Sequence, residues 1–400
     1  MNDIATPIAP GPLFVLYVLA GFPVLSETFV SNEIRAMRAL GHHVVPLTLS
    51  PHDGPCQPED EAFRAEVLHL RDIPSGPALT AAAARPVRLA RALRFAVRQK
   101  GIPPRSLLRA SARVALAARR AGCTHLHAHF AHAAAATAIT AAKLAGLTCS
   151  FTGHGYDVYG GPSDLAAKLE AADVAIAVCN DMVTDFRRLA PGATVRMVPC
   201  GTDATRFVPV PDVVRNGRLL AIGRLVEQKG YDVLLDALAL LPPGTRAAID
   251  VVGGGALQEQ LTARAAALGV SDAMQFLGPR TADWIAANGP AYLGFVAPYV
   301  ITRTGDRDTG PLVVKEAMCM ELPVVASALM GLKESVSGET GRLVPPRDPA
   351  ALAEALAWLT GLDEAQRRAM GGAGRERAIR LFSLRGQAEG LAAAIRSIRP

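Results

Sequence analysis

Short apolar runs alternate with longer amphipathic stretches along most of this 400-residue chain, and that alternation restricts the fold more than any other feature. The runs "LFVLYVL", "HVVPLTL", "EVLHL", "THLHAHF", "VAIAV" and "VRMVP" occupy the first half, and "RLLAIG", "AAIDVVG", "MQFLG", "LGFVAP", "PVVAS" and "GRLVPP" the second. Each has strand length, and helical periodicity lies between nearly all of them. Strand and helix in strict alternation imply parallel sheets covered by helices on both faces. The pattern breaks at "RFVPVPDVVRNG" (206–217), where prolines and Asn216-Gly217 precede a fresh strand. Two α/β domains are therefore expected, over 1–209 and 210–380, with a C-terminal helix at 381–400 packing back toward the first. No internal repeat is visible.

An apolar content of 50% and a mean hydropathy of +0.22 supply enough material for two cores. The run "PLFVLYVLA" (12–20) follows no Lys or Arg and is short, so it is expected as a buried strand rather than a signal peptide. The Ala-rich run 131–148 is interrupted by Lys143 and is expected as a packed helix, leaving no transmembrane segment. The six cysteines form no CxxC pair, and no His is taken to lie at metal-ligand spacing. They are expected as small buried hydrophobes of a reducing cytoplasm, with no metal site.

The net charge of +6 conceals an asymmetry. From Ile73 to Tyr156 there are twelve Lys or Arg and no Asp or Glu, which leaves the remainder of the chain at −6. Within that block "ARPVRLARALRFAVRQKG" spaces Arg among Leu, Val and Phe at three and four residues, the pattern of a basic amphipathic helix. Residues 85–120 either form a solvated face of their own domain or dock on anionic lipid. Nucleic acid is not expected as a partner, because no aromatic interleaving accompanies the charge.

In doubly wound domains ligands gather at the carboxyl ends of the strands, here in the expected cleft between the two domains, and the motifs fall at such junctions. In "YVLAGFPVLSETFVSNEI" a strand ends at Gly21, and Ser26 and Glu27 open a helix whose free amides suit a phosphate or a sugar hydroxyl. That helix is expected to bury Phe29, Ile34, Met37 and Leu40. In "SFTGHGYDVYGG" His154 stands between glycines just after a strand, with Asp157 and Tyr159 close behind. In "LLAIGRLVEQKGYDVL" a strand ends at Gly223, and Arg224 and Lys229 follow in the loop, a guanidinium fork and a point charge suited to a diphosphate. Gly253-Gly254-Gly255 lacks the register of a dinucleotide site and is expected as a tight packing turn. In "DRDTGPLVVKEAMCMELPVVAS" a helix is expected to begin at Pro311 after Gly310, its amides turned to an anion, with Asp308 before it and Glu316 along it.

Taken together, "FPVLSETFVSNEIRAMRALGH", "HLHAHFA", "FTGHGYDVYG" and "GRLVEQKG" resemble the retaining glycosyltransferases of family four, over nearly the whole chain and most closely the exopolysaccharide and colanic acid branch. The resemblance implies the GT-B fold, two Rossmann-like doubly wound domains facing across a deep cleft. It also implies transfer of a hexose-type sugar from a nucleoside diphosphate, UDP or GDP, to an acceptor hydroxyl with no cofactor and no metal. The acceptor would be a lipid-linked saccharide or a small molecule, and the protein cytoplasmic or peripheral on the inner membrane face.

By the same resemblance Arg224 and Lys229 neutralise the diphosphate beside Gly21 and Gly223, and Glu316 accepts from the ribose hydroxyls. The loop Asp308, Gly310, Pro311, Leu312 grips the transferred sugar, and His154 touches it from the other side. Ser26, Glu27, Asp157 and Tyr159 face the acceptor, with Asp157 able to assist its deprotonation. One position departs from the family: Asp308-Thr309-Gly310-Pro311 stands where Glu-Gly-x-Pro is usual, and Asp reaches ~1.5 Å less far. "DRD" matches the metal motif of another glycosyltransferase fold, a reading set aside because protein cations and helix amides already serve the phosphates. A nucleotide-sugar epimerase of the same fold, a transferase acting on a soluble aminoglycoside-like core and a non-catalytic sugar-nucleotide binder remain open at this point.

Overall fold

A computed structural model describes residues 11–398. The chain divides into two compact units. One comprises the chain up to Thr152, Ser163–Ala175 and the chain from Ala388 on; the other comprises Gly153–Pro162 and Ile176–Gln387.

Seven strands form one sheet: β1 (Phe14–Leu19), β2 (His43–Thr48), β3 (Leu68–His69), β4 (His125–His129), β5 (Thr148–Thr152), β6 (Val174–Ala177) and β7 (Val195–Met197). Their order is β3-β2-β1-β4-β5-β6-β7, and the pairings among β1 to β5 are parallel. Six more form the second sheet: β8 (Leu219–Ile222), β9 (Ile249–Val252), β10 (Met274–Gly278), β11 (Gly294–Ala297), β12 (Val324–Ser327) and β13 (Gly341–Val344). Here the order is β10-β9-β8-β11-β12-β13, with every pairing parallel. Both orders reverse direction next to the first strand of the sheet, which is the doubly wound arrangement. Strands β8, β9, β11 and β12 are buried at every residue, as strands covered on both faces must be.

The twelve apolar runs of the sequence all become strands, although "EVLHL" pairs over only two residues, Leu68–His69. β5 is the strand that no apolar run marks, because "TCSFT" is mostly small and polar. It entered the reading only as the segment preceding His154.

The Ala-rich run forms the helix Ala133–Ala145, with nearly every residue buried. Among the described residues no helix is long and apolar enough to cross a membrane. Five of the six cysteines are buried and Cys56 is half-buried; all are free thiols. The helix Thr28–Ala39 buries Val30, Ile34 and Met37, while Phe29 and Leu40 stay half-buried. Its inner face also carries Ser31 and Glu33, which no apolar periodicity announces.

The basic block resolves into two groups. Arg88 Nη1 donates to the carbonyl of Ala145 at 2.6 Å and Arg119 Nη2 to the same carbonyl at 3.0 Å, closing the carboxyl end of the helix Ala133–Ala145. Arg113 donates to the carbonyls of Ile73 and Arg71. These three hold the fold together. Arg85, Arg91 and Arg94 are exposed, among the exposed side chains of Val87 (66%), Leu93 (44%) and Val97 (59%) on or beside the helix Pro86–Ala96.

Candidate active site

The junction after β8 fixes the first cation. Gly223 has φ +158 and Gly230 has φ +65, and a Cβ at Gly230 would collide with the carbonyl of Pro298. Between them a single 3₁₀ turn, Glu227–Lys229, precedes the helix Tyr231–Leu240, so Lys229 is turned inward and is only 8% exposed. A Cβ at Gly223 would lie 2.9 Å from Cε of Lys229, which makes glycine the residue that lets the lysine stem pass. The ammonium ends 2.7 Å from Oδ2 of Asp308 and 4.0 Å from the ring centre of Tyr299. Tyr299 is itself buried, two residues beyond β11. Burial raises its phenol well above the ordinary value, and the negative charges of Asp308 and Glu316 add to the effect.

Arg224 behaves differently. It is exposed on the loop and lies close enough to Asp306 for its charge to offset part of what burial does to that carboxyl. The two predicted cations are thus unequal: Lys229 is paired inside the fold, and Arg224 stands at the surface.

The segment Gly153–Pro162 packs against the loop that carries Asp308. The Arg307 guanidinium lies 4.4 Å from the Tyr159 ring centre, and the Tyr159 hydroxyl donates to Asp185 at 2.8 Å. Gly155 permits this approach, since a Cβ there would meet the carbonyl of Arg307 at 2.8 Å. His154 follows in the same turn, its amide donating to Asp157 Oδ1 at 3.0 Å and Oδ2 at 3.2 Å. Asp157 is 1% exposed and accepts at both oxygens, so the structure shows it fixing the turn that presents His154.

The third element is the helix Leu312–Cys319. It starts one residue later than the sequence reading, because Pro311 keeps an extended backbone (φ −62, ψ 125) and stands at the N-cap. No side chain caps the amides of its first turn. Gly310 precedes it, and Gly331 donates its amide to the carbonyl of Thr309 at 3.0 Å, which pins the turn.

Glu316, on the second turn, retains some exposure in a crowded recess. Burial pushes its carboxyl up to about 7, against the opposing pull of Arg206 and Lys315. Lys315 is fully buried, donating to the carbonyl of Cys200 at 2.7 Å and lying 4.6 Å from the ring centre of Phe382. Burial lowers its ammonium from the ordinary value. Sequence reasoning missed Lys315; a single lysine inside "PLVVKEAMC" was the available signal. The glycine turn at 253–255 is a packing turn, since a Cβ on Gly255 would strike the backbone of Leu225 at 2.6 Å and one on Gly253 the carbonyl of Gly223.

His154, Asp157, Tyr159, Gly223, Arg224, Lys229, Asp308, Gly310, Pro311, Leu312 and Glu316 therefore all belong to one unit. Gly21, Ser26 and Glu27 belong to the other. There Ser26 is exposed and Glu27 is the N-cap residue of the helix Thr28–Ala39, its carboxyl raised by burial and drawn back by His129.

Residues 26–206 match the family described as Glycosyltransferase Family 4, and residues 216–361 match the family described as Glycosyl transferases group 1. The chain belongs to the family 4 and group 1 glycosyltransferases. It is 26% identical over 383 residues to the colanic acid biosynthesis glycosyltransferase WcaL of Salmonella typhimurium, covering 87% of this chain and 91% of that protein. It is 33% identical over 204 residues to a GDP-mannose-dependent alpha-(1-6)-phosphatidylinositol monomannoside mannosyltransferase of Mycolicibacterium smegmatis. That match covers 47% of this chain and 53% of the relative, so the chain spans about half the length of the mannosyltransferases it matches. Among solved structures, Anabaena Alr3699/HepE in complex with UDP superposes with a TM-score of 0.72 at 19% identity, over 96% of this chain and all of that one. A glycosyltransferase of Rickettsia africae gives 0.73 at 17%, over 96% and 98%. The fold of this chain is accordingly the GT-B type, with two parallel-sheet, Rossmann-like domains.

Glu316 generates a pH test. Below about 4.5, its ordinary value, the folded and unfolded chains both carry the neutral acid. As pH rises from there to about 7 the unfolded chain ionises and the folded one resists, so stability is lost across that window and the loss is complete above it. Glu316→Gln removes the ionisation while keeping the shape. Its melting temperature should match the parent's near pH 4.5 and exceed it at pH 8, by on the order of 2 kcal/mol of unfolding free energy after allowance for residual exposure. An equal difference at both pH values would mean that burial does not perturb this carboxyl.

Proposed function

We propose that this protein transfers a hexose-type sugar from a nucleoside-diphosphate sugar to an acceptor hydroxyl with retention of configuration, in the assembly of an exopolysaccharide or another glycoconjugate. The observation that carries the reading is the convergence, within one unit, of a buried cation and carboxylate at 2.7 Å with the uncapped helix Leu312–Cys319. HepE binds UDP, and the mycobacterial relative is GDP-mannose-dependent, so the donor proposed here is a UDP- or GDP-sugar.

In this reading Arg224 and Lys229 hold the diphosphate, and Gly223 admits its backbone-close approach. The amides of Leu312 and its neighbours add partial positive charge on the same side. Glu316 accepts from the ribose hydroxyls, and Asp308, with His154 positioned by Asp157, contacts the sugar. Departure of the nucleoside diphosphate needs stabilisation of negative charge more than it needs a strong base, and preorganised cations supply it without a metal bridging the phosphates. As the diphosphate approaches, Lys229 exchanges part of its pairing with Asp308 for the phosphate oxygens. Asp308 is thereby released toward the sugar, so the ion pair acts as a prepared site for both. Ser26 and Glu27 are assigned to the acceptor, together with Tyr159 as a buttress of the His154 turn, and Gly21 to the donor.

The exposed Arg85, Arg91 and Arg94 among Val87, Leu93 and Val97 favour an acceptor presented at an anionic membrane surface over a soluble aminoglycoside-like core. An epimerase would interconvert nucleotide sugars with no acceptor, and a non-catalytic binder would turn nothing over. Release of nucleoside diphosphate that depends on added lipid-linked saccharide separates all three.

Lys229→Ala should lower transfer about a hundredfold, on the order of 3 kcal/mol of transition-state stabilisation, with the fold retained by circular dichroism. Activity within threefold of the parent would sink the diphosphate assignment. Calorimetry divides the two carboxylates. Glu316→Gln should weaken the intact donor and the free nucleoside diphosphate alike, by about 1.5–3 kcal/mol. Asp308→Asn should weaken the intact donor yet leave the free diphosphate bound as tightly or more so, because Lys229 loses its competitor. Equal losses for both ligands in Asp308→Asn would remove Asp308 from the sugar end.

Charge reversal of Arg85, Arg91 and Arg94 to Glu should reduce sedimentation with phosphatidylglycerol vesicles at least a hundredfold at low salt, at about 1 kcal/mol for each basic residue removed. Unchanged sedimentation would make this face a merely solvated one.

A further inference from the structure

A second cluster belongs to the unit that carries β1 to β5, built from residues given no role in the proposed transfer. His125, His127 and His129 alternate along β4, so their rings share one face of the sheet, and Tyr17 on β1 is in register with His127. Glu33 comes down from the helix Thr28–Ala39 onto the same face. Its Oε1 lies 2.9 Å from the Tyr17 hydroxyl, 3.1 Å from His129 Nε2 and 3.7 Å from His127 Nε2. Tyr17, His127 and His129 are 0% exposed and Glu33 is 2% exposed. The ligand atoms of Glu33, His127 and His129 all fall within 4.8 Å of one another.

Those separations have a metric meaning. Four ligands at zinc's usual 2.0–2.1 Å stand about 3.3 Å apart along the edges of a tetrahedron. The observed contacts to Glu33 Oε1 bracket that edge. The outer layer is also in place. His127 Nδ1 is 2.7 Å from Ser150 Oγ, Ser150 Oγ is 2.7 Å from His125 Nε2, and His125 Nδ1 is 2.7 Å from Thr148 Oγ1. If His127 donates through Nδ1 to Ser150, and Ser150 donates onward to His125, the Nε2 lone pair of His127 faces Glu33. Thr152 Oγ1 lies 3.2 Å from that same Nε2.

We propose that Glu33, His127 and His129 form a divalent-metal site of the zinc class, with the Tyr17 hydroxyl oxygen as the fourth ligand. Two imidazoles, one carboxylate and one phenol are a borderline donor set that suits zinc or cobalt and is poor for magnesium or calcium, which prefer oxygen cages. The ion would tie the helix Thr28–Ala39 to β1 and β4 at the base of the loop carrying Ser26 and Glu27. The site is structural and takes no part in holding the diphosphate. The two-residue spacing of "HLHAH" is the ligand spacing that the sequence reading passed over, and the missing partner was Glu33, supplied from 92 residues upstream of His125.

The full-length chain, produced without a histidine tag, would be stripped with chelator and titrated with Zn²⁺ and, separately, Co²⁺. One equivalent of zinc by elemental analysis and the intense visible absorption of four-coordinate cobalt are expected. His127→Ala with His129→Ala should abolish both signals, and Ser150→Ala should weaken binding by about tenfold to a hundredfold while leaving the ligands in place. If the double variant fails to fold, the parent titration still decides. Substoichiometric zinc and no cobalt absorption in the folded parent, or undiminished binding in the double variant, would overturn the site and leave a buried hydrogen-bonded network.

Discussion

The ion pair between Lys229 and Asp308 is the interaction on which the rest of the candidate active site depends. A lysine that is 8% exposed requires a partner, because an unpaired ammonium in such surroundings costs several kcal/mol. Asp308 supplies the charge and the Tyr299 ring the face beneath it. The backbone conditions follow. Gly230 must be glycine for the turn to close against Pro298, and Gly223 must be glycine for the lysine stem to pass. The loop bearing Asp308 must in turn be held in place, and the Arg307–Tyr159 stack with the Tyr159–Asp185 hydrogen bond does so.

In the proposed reading this arrangement also accounts for a shorter acid at 308. A carboxylate that only reached for a sugar would lose its contact with one methylene removed. One that first pairs with an internal lysine is positioned by that pair, and its reach is set by the lysine as well as by its own length. A cation already matched by a nearby acid is held ready at lower cost than an isolated one, and the proposed exchange of partners would replace the desolvation that a bare lysine requires.

The architecture was legible in the sequence because buried parallel strands are the easiest elements to read: "LLAI", "IDVV", "GFVA" and "VVAS" are buried at every residue and almost wholly apolar. β5 was harder, since Thr148, Ser150 and Thr152 turn hydroxyls toward the histidines of β4 and erase the apolar signal. Junction residues were legible because glycine, proline and charge have few reasons to cluster after a strand. What could not be read was partnership across long separations. Lys229 and Asp308 are 79 residues apart, and nothing local to either says that they neutralise each other. The same holds for Glu33 and His129, 96 residues apart.

Glu316 shows the opposite tendency to Lys229. The lysine is stabilised by a partner, whereas the carboxyl is left in a recess where burial outweighs Arg206 and Lys315 and its acid form persists to about 7. Such a group destabilises the fold once ionised, and a helix so apolar could carry a methionine there at lower cost. The adjacent Lys315 is spent on the carbonyl of Cys200 and the Phe382 ring and is thereby kept from forming a direct pair. A carboxylate held without a full counter-charge is a strong hydrogen-bond acceptor for neutral donors, and paired hydroxyls on a ribose are such donors. In the proposed reading Lys229 and Glu316 are thus complementary: the lysine exchanges one anion for another, and the carboxyl gains hydrogen bonds from the ribose.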